Sequence, residues 1–235
     1  MSRFTSTVRL DVLLQLRYGF YYAAAFTTLI WIALLLPLPV SVLDLAVPLV
    51  IFTDLAVVGY YFIAGAVLFE KGEETLFALV STPLRFREYL ASKLITLTAL
   101  AVVMSLVVVG VSYGYGFRAA FLVVGVIFMS VISLLVGFIT VSPFDSISSY
   151  IIPSGIPLLV MGLPLIHFLG LSESPLLYLI PTQGSMLLLG AAFETASLAA
   201  WQILYAVLYQ LLWICGLILL AYRTFDRYIV SSKGG

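Results

Sequence analysis

Residues 118–141 read RAAFLVVGVIFMSVISLLVGFITV, and after the opening arginine no charged residue interrupts them. As a helix this run extends about 35 Å, enough to cross a hydrocarbon core about 30 Å thick. The apolar positions are continuous rather than alternating, which excludes the period-two pattern of a barrel strand. Working outward, similar runs occupy Phe20–Val42, Val47–Phe69, Lys93–Tyr113, Tyr150–Leu171 and Ala199–Tyr222. With 118–141 they predict an all-α, polytopic membrane fold of six spans, forming one transmembrane domain over residues 1–235. Two linkers are long: 70–92 and 172–198.

The composition agrees. Hydrophobic residues make up 63% of the 235 and charged residues 9%, against roughly 45–50% and about 25% in soluble domains. Mean hydropathy is +1.19. A soluble fold lacks the polar groups to cover so much apolar surface. Eleven basic and eleven acidic side chains cancel, leaving no field to steer a polyanion, so nucleic acid is excluded as a partner. The single cysteine, Cys215, rules out an internal disulfide. The first apolar run is too long for a cleavable signal and has no small-residue cleavage site.

Basic residues set the orientation. With the N-terminus inside, Arg3, Arg9, Arg17, Lys71, Arg85, Arg87, Lys93, Arg223, Arg227 and Lys233 all face the cytoplasm, and only Arg118 lies outside. Asp44, Asp54, Glu173 and Glu194 fall on or near the outer side. Both termini are therefore expected to be cytoplasmic, with residues 1–19 forming an amphipathic helix on the inner membrane surface. The stretch Ser174–Gly190 is apolar but interrupted by Pro175, Pro181 and Gly184. It reads as a re-entrant or interfacial hairpin on the outer side, tolerated only where protein or water covers its backbone.

Catalytic chemistry is not expected. A membrane zinc protease needs paired histidines with a glutamate, and the sequence holds one histidine, His167. The GxS at Gly170–Ser172 follows that histidine directly instead of lying on a separate span. Glu73-Glu74 lacks the arginine of a glutamate-based intramembrane protease motif, and no GxxxxGK[ST] phosphate loop occurs.

Candidate path residues within the spans are few: Asp54, Tyr61, Ser133, Thr140 and His167. Asp54 is placed about two turns into the second span from its outer end, on one helical face with Tyr61. It reads either as a polar point in a substrate path or, the favoured reading, as a carboxylate reaching outer-face water or pairing with Arg118. His167 ends a span broken by Pro153, Pro157 and Pro164, which should be kinked. Ser130, Ser133, Gly137 and Thr140 make one small, polar stripe suited to close helix packing.

The densest signal is the inner loop FEKGEETLFALVSTPLRFREYLASK, Phe69–Lys93. Charges at Glu70, Lys71, Glu73 and Glu74 precede a short amphipathic helix around Leu76, Phe77, Leu79 and Val80. Thr82-Pro83 stops it, and Arg85, Arg87 and Glu88 lead on to Lys93. Such a helix, apolar on one face and charged on the other, suits docking on a soluble partner.

This pattern resembles the type-2 membrane permeases of ATP-binding-cassette exporters at Glu70, Lys71, Thr75, Leu76, Leu79, Thr82, Pro83, Glu88 and Lys93. It departs where that family commonly has glycine before the threonine and this chain has Glu74. The RYGFYY opening at Arg17–Tyr22 is most similar to bacterial antibiotic-export permeases, the fluoroquinolone-type exporters among them.

The resemblance implies a multi-pass permease in the plasma membrane of a prokaryote. It would pair with a second copy or a homologous permease and with cytosolic ATPase subunits, amid membrane lipids. It would need no cofactor of its own, ATP and magnesium sitting on the ATPase. The coupling contacts would be Glu70, Lys71, Glu73, Glu74, Thr75, Phe77, Thr82, Pro83, Arg85, Arg87 and Glu88, with Phe144 and Asp145 from a second inner loop. The cargo would be hydrophobic or amphipathic. A non-transporting scaffold or immunity subunit, and an ATP-independent channel or carrier, are the alternatives.

Overall fold

The computed structural model describes residues 3–73, 85–195 and 198–230. All regular structure among these is helical. Helix α1 (Arg3–Arg17) meets α2 (Phe20–Leu35) at a 62° bend. Gly19 makes the corner with φ +81°, a left-handed conformation open to glycine. α2 stops at Leu35: Leu36 is still helical in conformation, but Pro37 has no N–H with which to continue the hydrogen-bond ladder.

The next helix, α3, runs over Val40–Gly72, with a π-helical segment at Leu55–Gly59 inside it. It starts well before Val47, where the second apolar run begins. Pro39, lacking an N–H, opens it without loss. α4 covers Phe86–Ser112 and begins inside the expected inner loop, where Glu88 accepts a hydrogen bond from the Arg85 N–H. α5 (Ala119–Val141) is the most enclosed long helix. It packs against α3, α4 and two helices that follow it, because it is apolar all round.

After α5 the chain breaks up. Short helices α6 (Ile147–Tyr150), α7 (Gly155–Gly162) and α8 (Pro164–Phe168) occupy the expected fifth span. Gly155–Phe168 is the longest near-continuous piece, about 21 Å at 1.5 Å per residue and too short to cross alone. Pro153 and Pro164 sit at its breaks and remove backbone hydrogen bonds there. Among the described residues, helices long and apolar enough to cross a membrane number four, or five if the bent α1–α2 pair counts as one, against six apolar runs in the sequence.

The segment before the last helix is a hairpin that dips into the bundle. A 3-10 turn at Pro175–Leu179 descends along α10 (Ala200–Phe225), which donates from the Tyr205 hydroxyl to the Tyr178 carbonyl (2.5 Å) and from Tyr209 to Leu179 (2.7 Å). α9 (Gln183–Ala192) then climbs back, every residue buried, until the Ala192 carbonyl accepts from the Arg118 N–H at 2.9 Å.

Arg118 and Glu194 mark one end of the bundle. At the opposite end the close of α1, Glu70–Glu73, the start of α4, Ser142–Asp145 and the end of α10 come together. Phe86, Phe138 and Phe225 form an aromatic seam there, with Phe86 and Phe225 ring centroids 4.7 Å apart.

Gly137 in the small stripe of α5 sets the approach of α5 to α3. A Cβ there would stand 2.6 Å from the Tyr60 carbonyl oxygen and 2.7 Å from Ile63 Cγ2. Gly137→Ala is expected to cost about 1–3 kcal/mol by overpacking, read as a lowered thermal midpoint in detergent. Gly216→Ala on α10, with nothing within 4 Å, should leave that midpoint unchanged.

Candidate functional site

The base of the long inner loop is a buried ionic cluster. Lys93, on the first turns of α4, donates to Asp11 Oδ1 of α1 (2.8 Å) and to Glu70 Oε1 of α3, and all three side chains are buried. Tyr89 donates to Glu70 Oε2 at 2.7 Å, and its ring faces the Lys93 ammonium at 4.7 Å. One turn after Asp11, Gln15 donates to Thr96 Oγ1 at 2.7 Å. α1 is therefore locked into the protein along the face that carries Asp11 and Gln15.

A second clamp lies beside the first. Lys71 donates to the carbonyls of Ser142 (2.7 Å) and Phe144 (2.9 Å) and to Asp145 Oδ1 (3.4 Å), which ties the end of α3 to the loop after α5. Glu73 accepts from Arg17 and from the Tyr18 hydroxyl, both at 3.1 Å. Burial and the hydrogen bond to Glu73 push the Tyr18 phenol up to about 12, so it remains a donor at physiological pH.

These contacts change the roles expected for the loop residues. Glu70 and Lys71, read as contacts for a partner, are 1% and 9% exposed and spend their charges inside the chain. The reason is local: each lies on the last turns of α3, facing a neighbouring element with an opposite charge or free carbonyls. Glu73, Arg85, Arg87 and Asp145 are exposed, Glu88 and Phe144 partly so, with the Phe144 ring 5.5 Å from Tyr150. Glu74, Thr75, Phe77, Thr82 and Pro83, and with them the expected amphipathic helix, lie outside the described residues.

The path candidates do not form one line. Ser133 is buried and donates to its own helix at the Met129 carbonyl, 2.8 Å away. Thr140 joins the hydroxyls of Tyr60 (2.8 Å) and Tyr150 (2.9 Å), and neighbouring Tyr61 bonds Ser154 (2.9 Å). This hydroxyl cluster holds α6 and the following turn against α3 and α5. His167 stands apart, with Nδ1 3.3 Å from the Ser172 carbonyl and its ring beside Tyr178.

Asp54 is deeper than expected. Because α3 begins at Val40, the residue lies about 21 Å from that end and about 24 Å from Glu70. It does not pair with Arg118, which faces Glu194 at 3.7 Å. Its Oδ1 accepts from the indole N–H of Trp31 on α2 at 2.8 Å, and the π segment of α3 starts at the next residue.

The partners Asp11 and Trp31, and the buried amides Gln183 and Gln210, were not singled out from the sequence. Asp11 carried a usable signal as the one acid of α1, with Gln15 four residues on and so on the same face. Trp31 carried none.

Lys93→Met leaves two buried carboxylates without their cation, and the expected loss is about 3–5 kcal/mol. Combining it with Asp11→Leu and Glu70→Leu should restore most of the loss, measured as thermal midpoints of the detergent-solubilised chain.

Comparison with known proteins places the chain in a family. The profile of the fluoroquinolones export permease protein family matches residues 2–233. Two curated fluoroquinolones export permease proteins of Mycobacterium tuberculosis, from strains CDC 1551 and H37Rv, are each 46% identical over 235 residues. Each alignment covers 100% of this chain and 99% of the relative.

Proposed function

The chain belongs to the fluoroquinolones export permease protein family, and from that membership we propose that it is the membrane subunit of an ATP-binding-cassette exporter. In this reading it pairs with a second permease, identical or homologous, and with cytosolic ATPase subunits that hold ATP and magnesium. The cargo is an amphipathic antibiotic-type molecule, the class for which the curated relatives are named.

The observation that carries the reading is the join at the loop base. Lys93, Glu70 and Asp11 bind three helices together where the charged inner loop leaves and re-enters the bundle, and Lys71 adds the second inner loop. A force applied to the loop therefore acts on α1, α3 and α4 as one body. That is what a subunit driven by an external ATPase requires, since closure of a partner does work only through elements that do not yield locally. The concentration of basic side chains at this end supports its facing the cytoplasm, with both termini. Glu73, Arg85, Arg87 and Asp145, exposed around the loop base, are the groups available to the ATPase; Glu70 and Lys71 hold the frame behind them.

Purification of the tagged protein from its host in mild detergent is expected to bring down a stoichiometric Walker-type ATPase. Replacing Arg85 and Arg87 by Glu should reduce that recovery about tenfold or more through like-charge repulsion, while the permease stays monodisperse. Absence of an ATPase under conditions that keep other complexes intact would favour a stand-alone channel or a scaffold.

A further inference from the structure

Between α2 and α3, near mid-height of the bundle, the surface is indented by a recess of about 220 Å³. Thr27, Ile30 and Trp31 line it from α2, and Thr53, Asp54 and Val57 from α3. Ile30 and Val57, 41% and 39% exposed, form its rim on the outer face of the bundle, where lipid chains would lie. A narrower crevice of about 30 Å³ continues inward from Asp54 toward Ser130, room for one or two waters.

The hydrogen-bonding character of this recess is one-sided. Thr27 spends its hydroxyl proton on the Ala24 carbonyl and Thr53 on the Leu49 carbonyl. The Trp31 N–H is committed to Asp54 Oδ1. The open wall of the recess is almost wholly apolar, and the polar atoms beneath it that could still pair are acceptors, the Asp54 carboxylate foremost. Among the described residues no basic side chain pairs with Asp54. An acid at such depth is costly without a partner and faces a cavity or a cation when it is kept. A π segment beginning immediately after it is a further feature common at binding sites.

We propose that this recess binds the protonated amine of an amphipathic molecule arriving from the bilayer. The ammonium donates to Asp54 and the threonine oxygens, while the apolar body lies over Ile30 and Val57 beside the Trp31 ring. The proposal rests on the transport reading and adds the chemical class of its cargo: a lipophilic amine, as opposed to a neutral or anionic lipid.

The test uses the full chain in lipid nanodiscs with Trp201→Phe and Trp213→Phe, leaving Trp31 as the reporter indole. The probe is para-nitrophenylbutylamine, whose ring quenches indole emission, compared at neutral pH with its uncharged N-acetyl derivative. The amine should reach half-quenching at a concentration about 10- to 100-fold below the amide, the range of a hydrogen bond to a charged group. Asp54→Asn should bring the amine to the level of the amide, and Val57→Phe, which fills the recess, should weaken both. Equal affinity of amine and amide for the unsubstituted recess would overturn the proposal, and needs no Asp54 variant to fold. Retention of the amine preference by Asp54→Asn would also overturn it. No ATPase takes part, so this binding can fail while the exporter reading stands, and the partner purification can fail while the recess binds amines.

Discussion

The structure turns on one ammonium group. Lys93 is buried between Asp11 and Glu70 and donates to both carboxylates. Removing one charge from such a set strands the others in a medium that cannot solvate them. The arrangement therefore stands or falls as a unit, and it fixes three helices that hydrophobic packing alone would let slide. α1 shows the consequence best. Its face carrying leucines at positions 10, 13 and 16 is exposed, as in a helix lying on a membrane surface, yet Asp11 and Gln15 pin its other face to α4. Its azimuth about its own axis is fixed against the bundle by those two contacts.

How much of this was readable from the sequence depends on the length scale of the signal. The all-helical bundle was, because runs such as 119–141 are apolar over a whole bilayer thickness and need no neighbour to explain them. Helix ends were less so. Hydropathy alone starts the second apolar run near Val47, whereas Pro39 opens α3 at Val40 and puts Asp54 about 21 Å along it. In the fifth apolar run Pro153, Pro157 and Pro164 predict kinks, and the backbone breaks at Pro153 and Pro164 into separate short helices. The loop residues were hardest. A glutamate and a lysine at a membrane boundary look solvated in sequence, and only the packing of α1 and the turn after α5 shows Glu70 and Lys71 to be enclosed. Charge density marks the region, but it does not distinguish the enclosed Glu70 and Lys71 from the exposed Arg85, Arg87 and Asp145.

The opposite end of the molecule is held differently. The hairpin of Pro175–Leu179 and α9 is secured mainly by hydrogen bonds to its backbone from Tyr205, Tyr209 and Gln210 on α10 and by the Thr182 hydroxyl to the Met161 carbonyl at 2.8 Å. Gln183 at its tip is fully buried with neither amide atom hydrogen-bonded. A buried amide without partners is a local energetic cost, so the hairpin has less holding it at its deepest point than along its sides. Buried ionic pairing holds one end of the bundle, while the hairpin at the other depends on neutral hydrogen bonds and close packing, including Leu188 and Leu189 against Gly125, with only the exposed Arg118–Glu194 pair beside it.

These two regimes meet on α3. Glu70 belongs to the ionically paired end, and Asp54 stands about 24 Å away along the same helix. The π segment Leu55–Gly59 lies between them. An unbroken α-helix would carry a rotation at Glu70 to Asp54 in full, since its hydrogen-bond ladder resists twist at every residue. A π turn departs from that ladder by one residue, and here its Leu55 and Ala56 are buried. Gly137 bears on Tyr60 and Ile63 directly after the π segment, so close packing on α5 and the ionic cluster at Glu70 hold that half of α3, while the half before the segment ends on Asp54 and its bond from Trp31.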